Sequence, residues 1–183
     1  MRKELSFHLI TTIILFILIF IFRYLNIHLL SSNLFFLPFL IGGLVGAVLP
    51  DIDHLIYVYY LRPYEVTSMR VINGIQNRNW KESWDLLSTT RSERTNLILH
   101  TILFQLLFLV LSFLVITSST SLFGRGLVLA FLLHLFIDEI LDLKANGNLL
   151  NWFKNIPFEL DKSQINIYLV ANFVIILVFG FLM

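Results

Sequence analysis

The chain has 183 residues, 57% of them hydrophobic, with a mean hydropathy of +0.82 and a net charge of +1. Apolar content this high excludes an ordinary soluble domain and an intrinsically disordered chain. The lack of cysteine removes disulfides, thiolate metal sites and cysteine nucleophiles together, so any metal must be held by His, Asp and Glu.

An all-α, polytopic membrane bundle is expected. Apolar stretches run from about Leu5 to Phe22, Leu34 to Leu49, Leu97 to Ile116, Leu122 to Leu143 and Ile165 to Met183. Each is close to the roughly 20 residues that cross a bilayer core, which gives about five transmembrane helices. The first follows Arg2 and Lys3 as a signal peptide would. At about 18 residues, however, it exceeds the usual apolar run of such peptides, and no small-x-small cleavage site follows, so it reads as a permanent helix. In the second, Gly42 and Gly46 form a G-x-x-x-G spacing that lets another helix approach the backbone closely. No Lys-Ser/Thr follows the glycines, so a nucleotide-binding loop finds no support.

Residues 61–95 form the longest polar stretch, and Trp80, Trp84 and Leu87 recur there at i, i+4 and i+7, the period of an amphipathic helix. Tryptophan favours the membrane interface, so this segment and Trp152 read as interfacial anchors or as a lid over a site. The fourth apolar stretch carries Asp138, Glu139 and Asp142 and is either a span or a re-entrant, partly water-lined element. With the N-terminus inside, all of the thirteen Lys and Arg residues except Arg23 and Arg125 fall on the inner side, as the positive-inside rule asks. The expectation is one membrane domain over residues 1–183, N-inside and C-outside, in the inner (cytoplasmic) membrane.

Ionisable residues inside apolar segments are costly and mark function. Here they fall in four windows: His8; Pro50-Asp51-Ile52-Asp53-His54; Arg94 with His100; and His134-x-x-x-Asp138. On the expected topology all four lie at one cytoplasmic depth, whereas His28 falls on the outer side and joins nothing. His134 and Asp138, one helical turn apart, can offer an imidazole nitrogen and a carboxylate oxygen to one ion. The candidate ligands are His8, Asp51, Asp53, His54, His100, His134 and Asp138. They outnumber the needs of one four-coordinate zinc, so one or two ions fit, most simply Zn2+, with Mn2+ or Fe2+ as alternatives. Asp142 reads as outer support or as a solvated residue, and Glu139, on another face, as structural.

The Pro-Asp-Ile-Asp-His run at the end of one membrane helix, with a later His-Leu-Phe-Ile-Asp, resembles the membrane-bound metal-dependent hydrolases, also described as LexA-binding, inner-membrane-associated hydrolases. That family is distantly related to zinc-dependent phospholipase C and the single-strand-specific zinc nucleases. The resemblance follows helix order over most of the chain, but its specific content sits in the four windows. It implies an early His, matched by His8, and a central His-Arg-x-x-Thr-His-Ser motif. The chain departs there: Arg94-Thr95-Asn96-Leu97-Ile98-Leu99-His100-Thr101 keeps an Arg and a His at changed spacing without the leading His. The carry-over to Arg94 and His100 therefore stays open.

The expected activity is metal-dependent hydrolysis of a phosphoester, lipid or lipid-linked, at the cytoplasmic interface. Asp51 or Asp53 would serve as bridging ligand or base, and Arg94 or Arg91 would hold the phosphate. No nucleic-acid partner is expected. A histidine-dependent lipid phosphatase is disfavoured because Pro-Ser-Gly-His is absent and Arg125 lies too far before His134. Two readings from other classes remain, a divalent-cation transporter or sensor and a non-catalytic membrane interaction protein.

Overall fold

The computed structural model describes residues 2–27, 36–157 and 160–182, so His28 lies outside the described residues. No strand occurs among the described residues. The helices are α1 (Arg2–Ile27), α2 (Phe36–Gly46), α3 (Ile52–Ile56), α4 (Val66–Gln76), α5 (Trp80–Thr89), α6 (Ile102–Ser118), α7 (Leu122–Asn146), α8 (Leu150–Phe153) and α9 (Lys162–Leu182).

α7 is the axis of the bundle. Its residues from Val128 to Glu139 are buried without interruption, because α1, α2, α6 and α9 pack around it. A helix apolar on every side is stable only when enclosed or in lipid. The surrounding helices show the reverse pattern, turning large apolar side chains outward, such as Leu107 at 73% exposure and Ile167 at 66%. A continuous apolar exterior of this kind needs lipid rather than water around it. Among the described residues, three helical stretches, Ser6–Arg23, Phe36–Leu61 and Lys162–Leu182, are long and apolar enough to cross a membrane. α6 is apolar but has 17 residues, and α7, with 25, carries Arg125, Asp138, Glu139, Asp142 and Lys144.

The contact of α2 with α7 is backbone on backbone. A methyl group at Gly42 would lie 2.0 Å from Phe123 O, one at Gly46 would lie 2.2 Å from Leu127 O, and one at Gly126 of α7 would lie 2.1 Å from Phe39 O. No side chain can replace these glycines without separating the helices. The G-x-x-x-G spacing thus marks the approach, and Gly126 is its counterpart on the other helix.

Pro50 interrupts α2 without ending the rod. Lacking an N–H for Gly46 O, and with a ring that crowds that carbonyl, it stops the α-helical ladder at Gly46. One 3-10 turn, Leu49–Asp51, follows, with Asp51 N–H donating to Val48 O, and the chain re-enters α3 and a π-helical turn, Tyr57–Leu61. The stretch therefore reaches Leu61 rather than Leu49, and Asp51, Asp53 and His54 lie within it rather than beyond its end. A proline near the start of a helical turn is compatible with continuing, although by sequence alone it reads as the end of the helix.

α4 and α5 form a hairpin whose inner residues, Val71 and Leu87, pack on Tyr57, Val58 and Leu97. Trp80 and Trp84 point outward while Leu87 is buried, so the tryptophans flank the inner face instead of lining it. Trp152 is not at a surface: it is 1% exposed and packs with Ile102, Phe131 and Leu149.

Candidate metal centre

His134 and Asp138 are both essentially inaccessible on the central helix, and their i, i+4 spacing brings His134 Nε2 to 3.2 Å from Asp138 Oδ2. His8, from α1, lays its ring over that of His134, with centroids 3.8 Å apart and planes at 10°, and carries Nε2 to 3.1 Å from Asp138 Oδ1. Nitrogen and oxygen atoms of His8, His134 and Asp138 all lie within 4.8 Å of one another. Asp51 Oδ1 stands 3.8 Å from His134 Nε2 and borders the group.

The break at Pro50 orients the site. Because Asp51 N–H turns to Val48, Ala47 O accepts from His134 Nδ1 at 2.7 Å. With its proton on Nδ1, His134 aims the Nε2 lone pair at Asp138, as a metal-ligating imidazole held by a carbonyl does.

The loop after α5 brings in the other residues. Asp53 accepts three successive backbone N–H groups, from Ile98 at 3.1 Å, Leu99 at 2.6 Å and His100 at 3.3 Å. It also meets His100 Nδ1 at 3.1 Å, while His100 Nε2 meets Asp138 Oδ2 at 2.9 Å. His100 thus spans two buried carboxylates. It lies just outside α6, before Thr101, which caps that helix by accepting from Phe104 N–H. Lys154 closes the loop from below, donating to Thr95 O and Leu97 O. Its partial burial lowers the ammonium pKa below the usual lysine value, and the Asp53 carboxylate acts in the opposite direction.

Seven ligands were expected from the sequence, and the structure separates them. His8, His134 and Asp138 converge; Asp51 stands beside them; His100 reaches them through Asp138. Asp53 is engaged by the loop amides. His54 turns Nδ1 toward Arg94 Nε at 3.1 Å and packs on the His100 ring at 5.3 Å. Arg94 donates further to Thr90 Oγ1 and Leu87 O, so it is committed to the protein rather than to the cluster. Arg91, not Arg94, reaches the centre, with Nη2 2.9 Å from Asp138 Oδ1 and 3.7 Å from Asp142 Oδ1. Trp152 Nε1 holds the other oxygen of Asp142 at 2.8 Å, and its ring meets His100 edge-on.

The donor set suits a cation on two grounds. His8 Nδ1 and Nε2 and His134 Nε2 are buried without a hydrogen bond of acceptable geometry among the described residues, and Asp138 Oδ1 lacks one too, although Arg91 Nη2 lies 2.9 Å from it as an ion pair. Buried polar atoms of this kind are rare and expensive, and imidazole nitrogen beside carboxylate oxygen is the chemistry that binds zinc and similar divalent ions. Charge points the same way. Around the cluster, Asp51, Asp53, Asp138 and Asp142 face the guanidiniums of Arg91 and Arg94 and the imidazole of His100, which must carry a proton on both nitrogens to donate to Asp53 and Asp138, so the carboxylates exceed the cations by one. A negative excess in so dry a place calls for compensation.

Thr12, one turn after His8 on α1, is also buried with an unsatisfied hydroxyl and escaped the sequence reading, although the i, i+4 spacing from His8 was its signal. No protein-family profile, characterised protein or solved structure matches the chain.

Proposed function

We propose that the chain is an integral membrane metal-dependent hydrolase that cleaves a phosphoester, of a lipid or a lipid-linked group, at the cytoplasmic membrane interface. The observation that carries this reading is the convergence of His8, His134 and Asp138 with buried, unsatisfied atoms directed at one another. A five-span, N-inside arrangement in the inner membrane accompanies it, supported by the distribution of Lys and Arg. The resemblance to membrane-bound metal-dependent hydrolases supports it too, through the same His and Asp windows.

His8, His134 and Asp138 would hold the ion, with Asp51 completing the set. When bound, a divalent cation supplies Lewis-acid charge to a phosphoryl oxygen and an acidified water. Zinc suits the mixed imidazole and carboxylate donors best, and manganese or iron would accept the same atoms. Asp51 is the carboxylate beside the cluster with some access to solvent, 13% for its side chain, which fits a group that accepts a proton from the attacking water. Asp53 positions: it fixes His100 and the loop, and His100 steadies Asp138. Arg94 positions as well, through His54.

Purified protein should contain at least one equivalent of transition metal and hydrolyse a phosphodiester. His134→Ala and Asp138→Asn should lose both properties. Unchanged metal content in both variants overturns the site. Metal binding without hydrolysis, but with ion flux in liposomes, would establish a transporter instead, and metal binding with neither would leave an interaction protein.

A further inference from the structure

We infer that Arg91 is a latch on the metal centre: its guanidinium and a divalent cation compete for the same Asp138 oxygen, and cation loading frees Arg91 to hold the substrate's phosphate. This rests on the reading of His8, His134 and Asp138 as a metal centre.

The competition follows from how Asp138 is surrounded. Oδ2 faces His100 Nε2 at 2.9 Å and His134 Nε2 at 3.2 Å, whereas Oδ1 faces His8 Nε2 at 3.1 Å and Arg91 Nη2 at 2.9 Å. The side of Asp138 shared with His8 is therefore the side on which a guanidinium sits. A cation held by His8 and Asp138 would share Oδ1 with a full positive charge less than 3 Å away. Two positive charges drawn to one buried carboxylate oxygen repel each other, so the cation and the guanidinium weaken each other's hold on it. Arg91 has somewhere to go: Asp142 Oδ1 is already 3.7 Å away, and the Trp152 indole pins that carboxylate in place. Release therefore needs a swing from one carboxylate toward the next, not expulsion into solvent.

Access supports the same device. The cavity that leads to His100, lined by Arg91, Asp142, Asn146, Asn151 and Trp152, measures about 20 Å3. That volume holds roughly one water molecule. With Arg91 between Asp138 and Asp142, the cavity is too small for a phosphoester. Once displaced from Asp138, the same guanidinium still lines that cavity, where a planar fork of donors suits a phosphoryl group. Arg91 opens the short 3-10 turn, Arg91–Glu93, that follows the α4–α5 hairpin. Its release would loosen that end of the hairpin. Arg94, three residues on, offers no such freedom, since it is tied to His54, Thr90 and Leu87 inside the fold.

The test is Zn2+ titration of purified protein in detergent, against a competing chelator, for the natural sequence, Arg91→Gln and Arg91→Lys. Hydrogen exchange over residues 88–95 is followed with and without Zn2+. Arg91→Gln should bind Zn2+ about tenfold or more tightly, the scale of ordinary coupling between two ligands, while Arg91→Lys stays near the natural protein. Zn2+ should speed exchange in the natural protein and leave Arg91→Gln unchanged, because its hairpin end is already released. Binding by Arg91→Gln but not by the natural protein would be the strongest support. Equal or weaker binding by Arg91→Gln, or exchange that does not change in a natural protein that has bound Zn2+, overturns the latch and leaves the metal centre standing. Failure of every form to bind Zn2+ overturns both.

Discussion

Asp138 and Glu139 are neighbours in the chain, both wholly buried on α7, and their surroundings differ in kind. Glu139 faces α6 and α9, where each of its oxygens has a partner: Tyr168 OH donates to Oε1, and Asn172 Nδ2 donates to Oε2 at 3.4 Å, with Gln105 also bonded to Tyr168. Asp138 faces α1 and the loop before α6, where unsatisfied atoms of His8 and His134 crowd it and a guanidinium competes for one oxygen. One cluster closes on itself and the other is left open. Burial of a carboxylate in an apolar bundle is thus not in itself a sign of chemistry. Unspent bonding capacity is the better sign, because a closed network leaves a ligand nothing to join.

Substitutions on the two faces of α7 should separate accordingly. Asp138→Asn, which keeps shape but loses charge, should abolish metal binding and cut hydrolysis by more than the roughly 10–100-fold expected of outer-shell changes. Metal retained at natural stoichiometry would place Asp138 with Glu139 as structural. Asp53→Asn should fall within that range of about 10–100-fold in metal affinity, since it disturbs His100 and the loop but no converging atom. An effect as large as that of Asp138→Asn would make Asp53 a ligand. Gly46→Ala forces a methyl group against Leu127 O and should cost about 1–3 kcal/mol of stability in detergent unfolding, with weaker metal binding because Ala47 O moves from His134. On the closed side, Tyr168→Phe should cost only about 0.6 kcal/mol, the average for a hydrogen bond between membrane helices, and leave metal content unchanged. Metal lost from Tyr168→Phe would mean that the two faces are coupled through α7.

Much of this arrangement could be read from the sequence, because local pattern encodes it. Apolar runs disclose the helices, the glycine spacing marks the α2–α7 contact, and His134 with Asp138 declares a shared face by helical period alone. The rest depends on pairings distant in sequence. Asp53 looks like a ligand until the amides of Ile98, Leu99 and His100, some 45 residues later, prove to occupy it. Arg91 and Arg94 are indistinguishable by composition, and only the turn after α5 sends the first to Asp138 and the second to His54. Trp152 carries an interfacial residue's signature, yet its ring is buried and its N–H is taken by Asp142 of the central helix. In each case a polar group found its bond within the protein, and no periodicity announces such a bond.

The stacking of His8 on His134 has a consequence for how the protein is made. His8 belongs to α1 and Asp138 to α7, which is synthesised 130 residues later. The two must wait for one another, and no shorter portion of the chain contains the site. A cation held there would bind the completed bundle and none of its partly inserted precursors, so by mass action it would favour full assembly. Membranes depleted of that ion should then accumulate chains whose α1 remains undocked and sensitive to protease.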